Sequence, residues 1–272
     1  MRKKILFLDL DGTLLNGNRE ISQGNRQALE EALLQGHRVV INTGRPLQSA
    51  RIQNERLGFT QDGCYLSAFN GGVIFDSYRQ QIVYRKTLPI ETALRVIRLC
   101  DAKGVHVQTY DMERVLVEPR WDDALVKKYC GRILMEYRMV PSFDTGLREQ
   151  PAKVLAVSEE DRGVLEALQK EISGEFPEVD CFFSSDFLLE VVPKGVNKGT
   201  ALERLCGILD IPVADSVAAG DEENDLPMIL AAGVGCAMAN GTQRVKAAAD
   251  YVTQNDNDRD GVAEIVRKFL LS

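Results

Sequence analysis

The sequence is poor in the residues that build most protein metal centres and disulfide frameworks. Its 272 residues include only two histidines, and its six cysteines are scattered without a CxxC pair. A zinc site would therefore have almost no ligands available, and a disulfide framework is not expected in a chain of this length. We predict that the cysteines are reduced thiols in a cytoplasmic protein.

A surplus of positive charge and long apolar runs are also lacking. The net charge is −7, with the acids spread along the chain, whereas a nucleic-acid-binding protein needs a basic stripe. The N-terminal MRKKILFLDLDG begins like a secretory signal, but its apolar run ends at Asp9. The longest uncharged stretch, 226–243, is interrupted by proline and glycines and is not expected to span a membrane. We therefore expect neither nucleic acid nor a membrane as a partner.

Short apolar strands alternate with helical patterns at both ends of the chain. The composition, 44% hydrophobic and 27% charged, is typical of a globular protein. The all-apolar run ILFL (5–8) and the largely apolar runs RVVI (38–41) and SVAAG (216–220) indicate strands buried on both faces, and the segments between them have helical spacing. This order predicts an α/β fold with a doubly wound, Rossmann-like parallel sheet.

The middle of the chain has a different pattern. Several strands with short turns between them indicate an antiparallel sheet, and helical segments at 90–103, 121–130 and 159–174 would cover one face. We therefore predict a discontinuous core domain, 1–82 and 192–272, with an α+β domain inserted at 83–191.

Acidic residues follow two of the predicted core strands. Asp9 and Asp11 come directly after the strand at 5–8, and Asp221 and Asp225 follow the strand at 216–220. Ligands of open α/β sheets bind at the carboxyl ends of strands, and an oxygen-rich cluster suits Mg²⁺. Taken one at a time, these acids are also explained as turn caps, helix caps or solvated side chains.

Two other segments contain groups that hold anions. Thr43, Gly44 and Arg45 follow the second strand, and a hydroxyl with backbone amides can bind an anion there. A plain strand-to-helix turn would have the same sequence. Lys198 lies near a predicted helix start, although cations are favoured at the opposite helix end. Its position suggests an anion as its partner, with a solvated lysine as the alternative.

In their order along the chain, these segments resemble the haloacid dehalogenase-like phosphatases, specifically the Cof-type branch with a large inserted α/β cap. The residues that carry the resemblance are DLDGTLL (9–15), TGR (43–45), NGG (70–72), KGVNKGTAL (194–202), GDEENDLPM (220–228) and GVA (261–263). The resemblance implies a Rossmann-like core, an inserted cap (subfamily IIB) and Mg²⁺-dependent hydrolysis of phosphate monoesters.

The resemblance also implies a role for each candidate residue. Asp9 would attack phosphorus to form an aspartyl-phosphate, and Asp11 would act as general acid and then base. Mg²⁺ would be held by the Asp9 carboxylate, the Asp11 backbone carbonyl and Asp221. The residues expected to bind the substrate are Thr43, Gly44, Arg45, Lys198 and Asn224, and the supporting residues are Asp225 and Asn70.

The leading hypothesis is a phosphatase for small phosphorylated metabolites such as sugar phosphates. The summed negative charge of the carboxylates and a phosphate ester makes a divalent cation necessary. A hexose phosphomutase and a non-catalytic sugar-phosphate sensor remain alternatives. A small phosphate ester is the expected partner, and the chain is expected to be a monomer or homodimer.

Overall fold

The computed structural model describes residues 3–121 and 124–272. Contacts divide the chain into two compact units. The first comprises the residues up to Gly44, Gln53–Tyr84 and Asn197–Ser272, and the second comprises Arg45–Ile52 and Arg85–Val196. Residues 45–52, which the sequence analysis placed in the core domain, are grouped by their contacts with the second unit. The function of residues 83–191 as a cap stays a prediction.

The described residues form two sheets and the helices around them. The strands are β1 (Ile5–Leu8), β2 (Arg38–Asn42), β3 (Cys64–Ala68), β4 (Val73–Asp76), β5 (Gln81–Arg85), β6 (His106–Tyr110), β7 (Val115–Val117), β8 (Tyr137–Met139), β9 (Val154–Val157), β10 (Val179–Ser185), β11 (Leu188–Pro193), β12 (Ser216–Gly220), β13 (Val234–Ala237) and β14 (Tyr251–Val252). The helices are α1 (Gln23–Leu34), α2 (Leu47–Leu57), α3 (Ile90–Ala102), α4 (Ala124–Ile133), α5 (Phe143–Gly146), α6 (Arg162–Glu175), α7 (Lys198–Ile208), α8 (Leu226–Ala231), α9 (Gln243–Ala248) and α10 (Gly261–Phe269).

The first unit contains an eight-stranded sheet in the order β14-β13-β12-β1-β2-β3-β4-β5. The pairs from β14 to β3 are parallel, in agreement with the predicted parallel core sheet. The β3–β4 pair, which extends this sheet, is antiparallel. A single 3₁₀ turn, Phe69–Gly71, joins these strands, and it is too short for the crossover that a parallel pair requires.

Helices cover both faces of the parallel part of this sheet. Ile5 and Phe7 of β1 pack with Leu202 and Leu205 of α7, while α1 packs against β2 and α10. Successive strand residues point to opposite faces. Since helices cover both faces, every residue of β1 is buried. This arrangement explains why the sequence of β1 contains only apolar residues.

The second unit contains a six-stranded sheet in the order β10-β11-β9-β6-β7-β8. Its pairs are antiparallel except β7–β8, which is parallel, so the prediction of an antiparallel sheet was wrong at this edge. The β7–β8 connection contains α4, which provides the crossover. Helices α3 and α6 pack on the sheet through one apolar core. The predicted helix at 121–130 begins at Ala124 within the described residues, and Asp122 and Asp123 lie outside them.

Strand register in the first unit brings the carboxyl ends of three neighbouring strands, β1, β2 and β12, together on one side of the sheet. Leu8, the last residue of β1, lies opposite both Ile41 of β2 and Ala219 of β12. These strands are parallel, so the segments that follow them leave the sheet at the same edge. The segments beginning at Asp9, Thr43 and Asp221 are thereby neighbours in space.

Among the helices of the described residues, none has the length and apolar character required to cross a membrane. The six cysteines are free thiols, of which five are buried and Cys181 is half-buried. Burial raises the pKa of the Cys64 thiol to about 12.

Candidate active site

The ends of β1, β2 and β12 hold the polar residues of the candidate site by backbone hydrogen bonds. The Asp9 amide donates to the Ala219 carbonyl at 3.0 Å, and the Thr43 amide donates to the Ser67 carbonyl at 2.8 Å. Asp9, Thr43 and Asp221 are all buried. Sheet hydrogen bonding therefore fixes the backbone of these polar residues.

Lys198 enters the site from the first turn of α7. The preceding residue, Asn197, caps the helix and forms a capping box with Thr200. The Lys198 side chain is fully buried, and its Nζ donates to Asp9 Oδ1 and to Asp225 Oδ1, each at 2.5 Å. The unfavourable position of this cation at a helix start is therefore offset by two carboxylates.

Asp225 connects the lysine to the turn that follows β12. Its second oxygen, Oδ2, accepts hydrogen bonds from the amides of Asp221 and Glu222 at 2.9 and 3.0 Å. A Cβ on Gly220 would lie 2.4 Å from the Asp225 Cβ, so glycine is required at the end of β12. One carboxylate thus orients both Lys198 and Asp221.

Asp221 is held by the loop that follows β1. The Thr13 hydroxyl donates to Asp221 Oδ1 at 2.7 Å. Gly12, the preceding residue, has φ +81°, and a Cβ there would lie 2.3 Å from Asp221 Oδ2. The Gly-Thr pair after Asp11 therefore provides both the space and the hydrogen bond that Asp221 needs.

Burial and mutual repulsion perturb the ionisation of these groups. Burial raises the pKa of Asp9 well above its ordinary value; the attraction of Lys198 lowers this pKa, and repulsion by Asp225 and Asp221 raises it. Burial likewise raises the pKa of Asp221 to about 7, against the hydrogen bond from Thr13. Burial opposes the charge of Lys198, but attraction by Asp225 and Asp9 raises its pKa above the ordinary value.

The donor set fits a divalent cation. The carboxylates of Asp9, Asp221 and Asp225 each offer an oxygen, and these oxygens lie within 4.8 Å of one another. With all three ionised and Lys198 protonated, the cluster carries a net charge of −2. Hard oxygen ligands and this charge suit Mg²⁺, which retains several waters. The group includes Asp225 in addition to the predicted Asp9 and Asp221. The Asp11 side chain is exposed, and the sequence analysis assigned the Asp11 backbone carbonyl to the metal.

The other predicted residues are Asn70, Asn224 and Arg45. Asn70 is buried with φ +55°, and its backbone amide donates to the Thr43 carbonyl at 3.0 Å. A Cβ on Gly44 would lie 3.1 Å from Asn70 Oδ1, so Asn70 packs against the Thr43–Gly44 turn. Asn224 is half-buried in the 3₁₀ turn before α8. Arg45 belongs by its contacts to the second unit.

Sequence reasoning missed two residues that support the site. Thr13 lies in the DLDGTLL segment, but nothing in the sequence indicates its hydrogen bond to Asp221. Sequence reasoning also missed Asn42, which is fully buried and whose Nδ2 donates to the Lys198 carbonyl at 3.0 Å. The available signal was an amide side chain at the end of the apolar run of β2, where an unpaired polar group is costly.

Comparisons with known proteins place this geometry in a family. The model of the haloacid dehalogenase-like hydrolases matches residues 6–266. The 5-amino-6-(5-phospho-D-ribitylamino)uracil phosphatase YcsE of Bacillus subtilis is 31% identical over 268 residues, which cover 98% of this chain and 96% of that protein.

Solved structures agree in fold. A haloacid dehalogenase-like hydrolase from Bacteroides thetaiotaomicron superposes with a TM-score of 0.89 at 33% identity, covering 98% of this chain and 99% of that one. A sugar phosphatase of subclass IIB of this superfamily gives a TM-score of 0.80 at 25% identity, covering 98% and 99%.

The chain belongs to the haloacid dehalogenase-like hydrolase family, in its Cof-type branch. Its fold is an α/β fold with mixed sheets, the Rossmann-like core and cap of that family. The relatives named as phosphatases identify the class of enzyme as a phosphoric monoester hydrolase.

Proposed function

We propose that the protein is a Mg²⁺-dependent phosphatase that hydrolyses small sugar or polyol phosphates through an aspartyl-phosphate on Asp9. The observation that carries this proposal is the buried cluster of Asp9, Asp221 and Asp225 around the Lys198 ammonium. The three carboxylates repel one another and an incoming phosphate dianion, so the cluster needs additional positive charge before a substrate can enter.

Asp9 is the proposed nucleophile. Its Oδ1 accepts the Lys198 hydrogen bond, and its backbone is fixed at the end of β1, so the carboxylate has a defined direction. Attack on phosphorus forms the Asp9–phosphorus bond and breaks the bond to the ester oxygen. Mg²⁺, held by Asp9, the Asp11 carbonyl and Asp221, would supply positive charge next to the phosphoryl oxygens.

The remaining roles follow from position. Asp11 protonates the leaving alkoxide and then removes a proton from the water that hydrolyses the aspartyl-phosphate, a role that contributes about 10²–10⁴-fold in general. Thr43 and Gly44 bind phosphoryl oxygens, and Lys198 stabilises the charge that spreads over them. Asp225 orients Lys198. Substrate binding by Arg45 and Asn224 stays a prediction.

The substrate class is supported by the names of two relatives. One is named for a phospho-D-ribityl compound and the other is described as a sugar phosphatase. Both names indicate a phosphate ester on a polyhydroxylated carbon chain. Its leaving group is a poor one, which needs protonation by an acid such as Asp11.

The test is a phosphate-release assay over a panel of sugar, polyol and nucleotide phosphates, with p-nitrophenyl phosphate included. Activity should require Mg²⁺ and disappear with EDTA. Asp9→Asn should fold as the wild type does and release no phosphate. Asp186→Asn is the matched control, because Asp186 is exposed in the second unit and pairs only with Arg162 among the contacts described.

Three results would contradict the proposal. Turnover by Asp9→Asn near the wild-type rate would exclude the nucleophile. Undiminished activity in EDTA would exclude the metal requirement. Conversion of a sugar phosphate to its isomer without phosphate release would favour the phosphomutase alternative.

A further inference from the structure

One loop outside the predicted motifs contacts both acidic segments of the candidate site. It follows β13 and contains Asn240 and Thr242. The Asn240 Nδ2 donates to the Gly12 carbonyl at 2.8 Å, and the Thr242 amide donates to the Asp221 carbonyl at 2.9 Å. This loop therefore links the segment that carries Asp11 to the segment that carries Asp221.

The orientation of the Asn240 amide is fixed by a second asparagine. The backbone amide of Asn257 donates to Asn240 Oδ1 at 3.2 Å. An oxygen that accepts this bond directs the NH₂ group of the same side chain to Gly12. The Asn257 side chain donates in turn to the Leu15 carbonyl at 2.9 Å. The side chains of Asn240 and Asn257 thus bind two carbonyls of the loop after β1, those of Gly12 and Leu15.

The loop after β1 has reason to need such support. Gly12 has φ +81°, and glycine has the widest range of backbone angles of any residue. Asp11, the residue before it, has an exposed side chain and shares a peptide group with Gly12. The direction of the Asp11 carboxylate therefore depends on the path of the backbone at Gly12, and a hydrogen bond to the Gly12 carbonyl holds that path.

We propose that Asn240, oriented by Asn257, is a positioning residue that holds Asp11 in place for proton transfer to the leaving group. The proposal rests on the proposed function, because it assigns Asp11 as the general acid. Asn240 touches neither substrate nor metal in this account. It acts through the Gly12 carbonyl, one residue from Asp11.

The leaving group provides a readout that a purely structural role would not change. p-Nitrophenolate leaves without a proton, whereas the alkoxide of an alkyl phosphate requires one. Asn240→Ala should lower kcat/KM for the best alkyl ester of the panel about tenfold or more, since small displacements of a catalytic group have effects of this size. For p-nitrophenyl phosphate the same variant should lose about twofold or less.

Two further variants complete the design. Asn255→Ala is the matched control, because the exposed Asn255 side chain donates at 3.1 Å to Glu264 Oε2, in the same segment as Asn257. It should leave both substrates unchanged. In an Asp11→Asn background, Asn240→Ala should cause no further loss with the alkyl ester, because residues that act as a unit are not additive.

Each outcome decides the proposal. Equal losses for both esters, no loss at all, or a full additional loss in the Asp11→Asn background would overturn the positioning role. If Asp11→Asn itself shows no difference between the two esters, the general-acid assignment fails and the positioning role fails with it. A wild-type protein without phosphatase activity would overturn the proposed function.

Discussion

Replacement of Asp221 by asparagine tests the electrostatics of the metal-free site. In the metal-free protein, burial raises the Asp221 pKa to about 7, while an unfolded aspartate titrates near its ordinary value of about 3.9. The folded state therefore binds this proton more tightly than the unfolded state. The stability that Asp221 contributes is complete below about pH 4 and is lost as the pH rises to about 7.

The size of the effect follows from the difference between the two pKa values. Three pKa units at about 1.4 kcal/mol each give about 4 kcal/mol of destabilisation above pH 7. Asparagine has nearly the same shape and no charge. In EDTA, Asp221→Asn should therefore gain stability relative to the wild type between pH 4 and 7, with a constant difference above pH 7.

The assay is urea unfolding in EDTA at several pH values, repeated with Mg²⁺. Mg²⁺ should stabilise the wild type, because the cation replaces the proton among the carboxylates, and it should stabilise Asp221→Asn much less. Glu223→Gln removes an exposed carboxylate two residues away and serves as the control. A stability difference between wild type and Asp221→Asn that stays constant from pH 4 to 8 would refute this reasoning, as would equal stabilisation of both by Mg²⁺.

Two other substitutions test the support of the site. Gly12→Ala should lower the apparent Mg²⁺ affinity and cost about 1–3 kcal/mol in urea unfolding, because of its positive φ and the clash with Asp221. Gly104→Ala, with φ +67° and open space around it, is the control; equal Mg²⁺ affinities in the two variants would contradict the prediction. Lys198→Met should destabilise the protein by about 3–5 kcal/mol and raise KM, since it leaves buried carboxylates unpaired. If Lys198→Met left both the free energy of unfolding in urea and KM unchanged, Lys198 would neither pair with the buried carboxylates nor bind the phosphate.

The strands of the parallel core could be predicted because their central residues are apolar. Burial on both faces requires this composition; β1 and β12 have the predicted bounds, and β2 extends one residue further, to Asn42. The edge strands β8 and β14 were missed. They have three and two residues, most of them partly or fully exposed, so neither length nor alternation distinguishes them from loops.

Some residues of the candidate site could be predicted from the sequence and others could not. Four charged residues were predicted together because the order of their segments along the chain resembles the motifs of the family, and the structure brings these residues into contact: Asp9, Lys198, Asp221 and Asp225. Asn240 and Asn257 could not be predicted. Asparagine is common in loops. The role proposed for this pair depends on the backbone carbonyls of Gly12 and Leu15, which lie near the two side chains only in the folded chain.

The central claim is that Asp9 accepts phosphorus, and acid quenching tests it most directly. Asp11→Asn should slow hydrolysis of the aspartyl-phosphate, so p-nitrophenyl phosphate and Mg²⁺ should leave the phosphoryl group on the enzyme. Mass spectrometry of the quenched protein should then find one added phosphoryl group on the peptide containing Asp9, and none in an Asp9→Asn/Asp11→Asn variant. Steady release of phosphate with the Asp9 peptide never modified, or modification at another residue, would contradict the account.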